Sequence, residues 1–178
     1  MRYRSVLATI CVLALTVVVV FGGYVVAAAL SQPAGPPITV AGIVRVSPLS
    51  GWEVAERSAE PPSVRLTRGS GNLDVFVFPF TGTPVELATE YVEQVLRPQA
   101  DRLEVSRRVQ LVRVGSRSGV RVAYIGLFRG VQFQIEGQVT AVVSSSGGAV
   151  VFDGWAPAGL LQYATGDLQT MIDMAVIR

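Results

Sequence analysis

The sequence predicts an α+β fold: an antiparallel β-sheet meander covered by helices as an αβα sandwich, preceded by one N-terminal transmembrane helix. Three observations carry this. Val6 to Leu30 is an unbroken apolar run without a charged residue. From Val105 onward, β-branched and aromatic residues alternate with polar ones between Gly- and Ser-rich turns, the period-2 signature of strands. After Thr83 and after Pro157, apolar residues instead recur at helical spacing.

At about 1.5 Å per residue, a helix over 6–30 spans roughly 37 Å, enough to cross a hydrocarbon core of about 30 Å with some tilt. Arg2 and Arg4 precede it, whereas Ser31 to Val44 carries no charge. The positive-inside bias therefore places residues 1–5 as a cytoplasmic tip and the rest of the chain outside. A cleaved secretory signal is the rival reading, with Ala27-Ala28-Ala29 as its small-residue site. Signal apolar regions run only about 7–15 residues, which favours a retained anchor. Gly23 and Ala27 would allow close helix pairing, but small residues are ordinary in membrane helices. Residues 31–37, with three prolines and a glycine, read as an extended linker, and the outer domain is expected over 38–178.

That domain, about 140 residues, is long enough for a full core. All 15 basic residues of the chain are Arg, and there is no His and no Lys. Subtracting Arg2 and Arg4 leaves 13 Arg against 13 Asp plus Glu, so the outer domain is formally neutral and no nucleic-acid partner is expected. The single cysteine, Cys11, lies in the apolar run. Disulfides, thiolate metal sites and Ser-His-Asp chemistry are thereby excluded from the domain, and no cofactor is expected.

Taken in order, Ile38 to Val46 reads as a first strand, Pro48 to Gly51 as a turn and Trp52 to Ala55 as a short strand. Val64–Arg68 and Leu73–Phe78 flank Gly69-Ser70-Gly71-Asn72 as a hairpin. Thr83-Pro84-Val85-Glu86 is the signature of a capped helix start, with Thr83 as cap, Pro84 at the first helical position and Glu86 closing a capping box. Ala88, Tyr91, Val92, Val95 and Leu96 form the apolar stripe of that helix, which Pro98 ends. Val105–Val114, Val120–Phe128, Val131–Val143 and Ala149–Trp155 read as four meandering strands, with Gly137 expected at a bulge. A last helix after Pro157 would bury Leu160, Leu161, Ala164, Leu168, Met171, Ile172 and Ala175.

Few residues suggest chemistry. Glu86, Glu90 and Glu93 share roughly one helix face and could attract a cation, but acids near a helix N-terminus are favoured by its dipole in any case. Glu136 and Asp153 on neighbouring strands would resemble a glycosidase carboxylate pair, without a positioning partner. Ser144-Ser145-Ser146 has no base to activate it. Gly69–Gly71 and Gly147-Gly148 lack the strand-to-helix context of a phosphate loop. Arg107, Arg108, Arg113, Arg117 and Arg121 are the densest positive cluster and could face anionic lipid or a wall polymer, although alternation spreads them over more than one face. Trp155 stands out as an interaction residue. Alternation with Val150 and Phe152 puts it on the opposite face together with Asp153, where an exposed Trp would anchor a partner and a covered one would belong to the core.

Pro48-Leu49-Ser50-Gly51-Trp52, the helix at Thr83 to Arg97, Ile135-Glu136-Gly137 in the meander and Gly154-Trp155-Ala156-Pro157 before the closing helix resemble the PsbP-like fold. That fold includes the Ran-binding Mog family and the LpqN-type envelope lipoproteins of actinobacteria. The resemblance spans Ile38 to Arg178 and implies a non-enzymatic accessory or binding domain without an active site to carry over. A lipobox cysteine is missing, so the anchor would be the helix itself. The expectation is a non-enzymatic domain that docks an envelope or membrane protein partner at the outer face of the cytoplasmic membrane, held there through Val6–Leu30. A carrier or sensor of a lipid or cell-wall ligand is the alternative, favoured if an apolar cavity lies between helix 83–97 and the sheet. A hydrolase is the second alternative, disfavoured by the missing His and Lys.

Overall fold

The structure, a computed structural model, describes residues 33–144 and 147–178. The predicted tip 1–5 and transmembrane helix 6–30 lie outside the described residues, as do Ser31, Gln32, Ser145 and Ser146. Among the described residues no helix is long and apolar enough to cross a membrane. Pairing begins inside the stretch read as a linker: Pro33 bridges Leu49, and the Ala34 N–H donates to the Pro48 carbonyl at 3.0 Å.

The β-branched run from Ile38 does not stay one strand. It folds back as β1 (Ile38–Val40) and β2 (Val44–Val46) through the three residues 41–43, where Ala41 at φ 51° and Gly42 at φ 70° are both left-handed and the Ile43 N–H donates to the Val40 carbonyl at 3.0 Å. β3 (Glu53–Ala59) is longer than the predicted Trp52–Ala55. β4 (Pro62–Arg68) and β5 (Gly71–Pro79) form the expected hairpin around Gly69-Ser70.

Thr83 caps α1 (Pro84–Tyr91) with the full capping box: the Thr83 hydroxyl accepts from the Glu86 N–H at 3.2 Å, and the Glu86 carboxylate accepts from the Thr83 N–H at 2.7 Å. Beyond Tyr91 the helix widens to a π-turn over Val92–Leu96 and tightens to a 3₁₀ turn over Arg97–Gln99, which contains Pro98. Leu87, Ala88, Tyr91, Val92 and Leu96 are buried, Val95 only partly.

The strand predicted over Val105–Val114 is shorter, β7 (Gln110–Val114), and an unpredicted strand, β6 (Ala100–Val105), precedes it. β8 (Arg117–Phe128), β9 (Gln134–Val143) and β10 (Gly148–Pro157) complete the meander. Gly137 is not a bulge, for pairing runs without a break through it on both sides. It is a glycine because the Tyr124 ring lies on it: a Cβ there would sit 2.4 Å from the phenol. α2 (Leu161–Asp173) starts later than Pro157 and buries the predicted stripe except Leu160, which stays exposed. β11 (Val176–Ile177) pairs with β2.

The eight-stranded antiparallel sheet has the order β3-β4-β5-β10-β9-β8-β6, with β7 also on β8, and β1-β2-β11 form a second, three-stranded sheet. Two separate apolar clusters result. Leu161, Leu168, Met171 and Ile172 of α2 pack with Leu66, Leu73, Val75, Val150 and Phe152. Leu87, Tyr91, Val92 and Leu96 pack with Val122, Tyr124, Val139, Ala141 and Val151 on the other face. The helix–sheet–helix layering read from the sequence is thus present in the described domain.

Candidate functional site

β10 is the central strand, buried on both faces, and it carries a carboxylate in the middle of that burial: Asp153 is 3% exposed. Strand register assembles its surroundings. Arg65 on β4, Asp74 on β5 and Asp153 on β10 lie in one row across the sheet. Asn72, Trp155, Gly137 and Tyr124 form a parallel row one pleat away. Period-2 alternation turns all of these side chains toward α1, while Val150 and Phe152 face α2.

Each polar group in the site has a defined partner. Asp153 accepts from the Tyr124 hydroxyl on Oδ1 at 2.9 Å and from the Tyr91 hydroxyl, lowered from α1, on Oδ2 at 3.0 Å. Asp74 accepts Arg65 Nε at 2.6 Å and Nη2 at 3.2 Å, and Trp155 Nε1 at 2.8 Å. Arg65 Nη1 reaches on to Glu56 at 3.1 Å, and the guanidinium stands 5.9 Å from the Trp155 ring centre. Burial, with Asp74 directly across the strand, pushes the Asp153 carboxyl up to about 7, against the opposing pull of the two phenols and Arg65. Burial also raises both phenols, Tyr91 and Tyr124, above their ordinary value, with Asp153 reinforcing it. Its hydrogen bonds to Asp74 hold the Arg65 guanidinium above its ordinary value.

A cleft of about 240 Å³ opens over this cluster, between the sheet and the unwound end of α1. Asp74 and Asp153 line its floor, Phe76, Tyr91, Tyr124 and Trp155 its walls, and Gln99 and Arg129 its mouth. Across Tyr91 and Val95, a second hollow of about 240 Å³ is bounded by Phe78, Phe80 and Leu87, with Glu90 and Gln94 at its edge.

The structure brings Asp153 and Trp155 together, with Trp155 half-buried in the cleft wall. Arg107 and Arg108 lie elsewhere, exposed in the connection between β6 and β7, and Arg113 is exposed on β7. Arg121 turns toward α2, where its Nε donates to Thr140 at 3.0 Å and its Nη2 is buried without a hydrogen-bond partner. Glu136 does not meet Asp153: it faces α2 and accepts the Gly159 and Leu161 N–H groups at 2.9 Å, capping that helix. The Glu136–Asp153 carboxylate pair read from the sequence is therefore not assembled. Glu86 is used in the capping box and Glu93 pairs with Arg97, and no three metal-binding side chains converge among the described residues.

Arg65, Asp74, Tyr91 and Tyr124 were not singled out from the sequence as site residues. Asp74 carried a signal, as the one charge inside Leu73–Phe78. A two-residue turn at Gly69-Ser70 also places Arg65 opposite it by simple hairpin counting.

No family model matches the chain, and no curated protein matches it significantly. Solved structures do. Cyanobacterial PsbP (CyanoP) from Synechocystis sp. PCC 6803 superposes with a TM-score of 0.55 at 12% identity, over 83% of this chain and 96% of that one. LpqN, involved in cell envelope biogenesis of Mycobacterium tuberculosis, gives 0.54 at 11% identity, over 81% and 85%. The Saccharomyces cerevisiae Ran-binding protein Mog1p gives 0.55 at 10% identity, over 82% and 96%. At such identities the likeness concerns the fold, and the chain has the PsbP-like fold expected from its sequence.

Proposed function

We propose that the protein is a non-catalytic accessory domain, anchored through Val6–Leu30, that docks a protein partner at the outer face of the cytoplasmic membrane. The cleft beside Trp155 carries this reading. Ligand pockets for drug-sized molecules run from about 300 Å³ upward, and a cleft of about 240 Å³ is smaller. Its scale suits a side chain presented by a partner, with a half-buried Trp at the contact. Mog1p being a Ran-binding protein and LpqN being involved in cell envelope biogenesis support a binding role and an envelope setting. The neighbouring hollow at Phe78 and Phe80 favours a second reading, a carrier or sensor of a lipid or cell-wall ligand, if displacement of Tyr91 joins the two spaces. Mass spectrometry of the natively purified chain separates the readings, because a carrier retains its ligand.

A photo-cross-linker at Gln99, in intact membranes, tests docking. A discrete cross-linked protein is expected, and Trp155→Ala should abolish it while far-ultraviolet circular dichroism stays native. Capture that persists in Trp155→Ala, or that is equal from Gln169 on α2, would overturn the reading.

A further inference from the structure

Resting on the docking reading, we infer that the cleft receives a positively charged side chain of the partner, a lysine or arginine, whose charge meets Asp153. The charges of the site are unbalanced in a specific way. Arg65 is committed to Asp74 and Glu56, and Arg129 to Asp101. Counting these groups with Asp153 gives four carboxylates against two guanidiniums. Among the described residues no salt bridge reaches Asp153, which is held by two neutral phenols instead. Phenols supply hydrogen bonds but no counter-charge, and a buried carboxylate without one is costly.

The walls fit the same occupant. Phe76, Tyr91 and Trp155 present aromatic surface to a cation, and Phe128, Val131 and Ile135 offer apolar contact to a methylene stem. An anion would face two carboxylates, and a neutral hydroxyl would leave the charge of Asp153 uncompensated.

The inference carries a pH signature. The groups facing Asp153 are Tyr91 from α1, Tyr124 from β8, Asp74 from β5 and, through Asp74, Arg65 from β4. The chain has no His, and burial keeps both phenols protonated near neutrality. Asp153 is therefore the group of this site that ionises around pH 7.

The experiment uses the full chain in phosphatidylcholine nanodiscs and follows the Trp155 indole N–H resonance, assigned with Trp155→Phe. The probes are n-butylammonium, n-propylguanidinium and neutral 1-butanol. At pH 8 both cations should shift the resonance at concentrations at least about tenfold below 1-butanol, and lowering the pH to 6 should weaken them about tenfold as Asp153 takes its proton. Asp153→Asn should erase both the preference and the pH dependence. Equal response to 1-butanol, no response to any probe, or a preference that survives Asp153→Asn would overturn the inference. Should Asp153→Asn fail to fold, the comparison of pH 6 with pH 8 on the unaltered chain decides. Failure of docking itself would appear separately, as absence of Trp155-dependent capture from Gln99 in a chain that still binds butylammonium.

Discussion

Replacing Asp153 by Asn should change how the stability of the domain depends on pH more than it changes stability itself. In the folded state Asp153 holds its proton up to about pH 7, against an ordinary value of 3.8. Between those limits the folded state binds more protons than the unfolded one, so stability falls as pH rises through the window and levels off above it. The full span corresponds to about 4 kcal/mol, and the part between pH 5 and pH 8 to about 2–3 kcal/mol. Glu86 and Glu93 are held below the ordinary carboxylate value by Thr83 and Arg97, which moves their titration away from the pH 5 to pH 8 interval. Asn cannot ionise, yet its amide can accept from one phenol and donate to the other. Urea unfolding of the full chain at pH 5 and pH 8, followed by tryptophan fluorescence, should show the unaltered protein losing about 2–3 kcal/mol that Asp153→Asn retains. At pH 5 the two should lie within about 1 kcal/mol of each other, since each then carries a neutral group. Parallel pH profiles would refute a buried carboxyl that ionises near neutrality.

Further outcomes follow from local geometry. Thr83→Ala should cost about 0.5–2 kcal/mol in urea unfolding by removing the cap of α1, and Glu86→Gln should cost less because Gln still closes the box. Gly137→Ala should destabilise by about 3 kcal/mol and displace Tyr124 from Asp153, visible as a shifted tyrosine signal, because the added methyl overlaps the ring. Arg121→Met should shift stability by no more than about 1 kcal/mol, because relief of the buried unpaired Nη2 offsets the lost hydrogen bond to the buried Thr140 hydroxyl while the stem near Leu168 is kept. Reporters fused after Arg178 should be active only as exported forms, with a mature mass that includes Met1 or Arg2. Cytoplasmic activity would refute the orientation, and a mass starting near Leu30 would turn the anchor into a signal peptide.

The parts of this fold legible in the sequence are those written in local chemistry. The capping box at Thr83, the Gly69-Ser70 hairpin and the apolar stripe of α2 each occupy a short span, and the structure has all three. Ala41 and Gly42 were missed because an Ala in the left-handed region leaves no mark in a β-branched run. The strand at 100–105 was missed because Pro98 closes the helix so close to it that the residues between read as a break. Gly137 was misread because the cause of the glycine, the Tyr124 ring, lies on another strand. The site divides in the same way. Alternation along one strand put Asp153 and Trp155 on one face, and hairpin counting could have joined Arg65 to Asp74. Tyr91 and Tyr124 come from a helix 62 residues and a strand 29 residues away from Asp153, beyond the reach of any local pattern.

The pairing of β11 with β2 has a consequence for the order in which the fold can be completed. Arg45 lies opposite Val176, and the Arg178 N–H donates to the Ile43 carbonyl at 3.0 Å. A chain emerging N-terminus first through a narrow exit can form the β1–β2 and β4–β5 hairpins early, because their partners are close in sequence. The free edge of β2 and the β10 side of β5 must then wait, the first of them until residues 176–177 have emerged. Both edges stand open until residues 148–157 emerge, and that of β2 stays open until the last residues do; open edges are what aggregation exploits. Synthesis and folding are thereby coupled: a stalled chain lacking its last residues would expose an unzipped edge beside β1, at the start of the described domain.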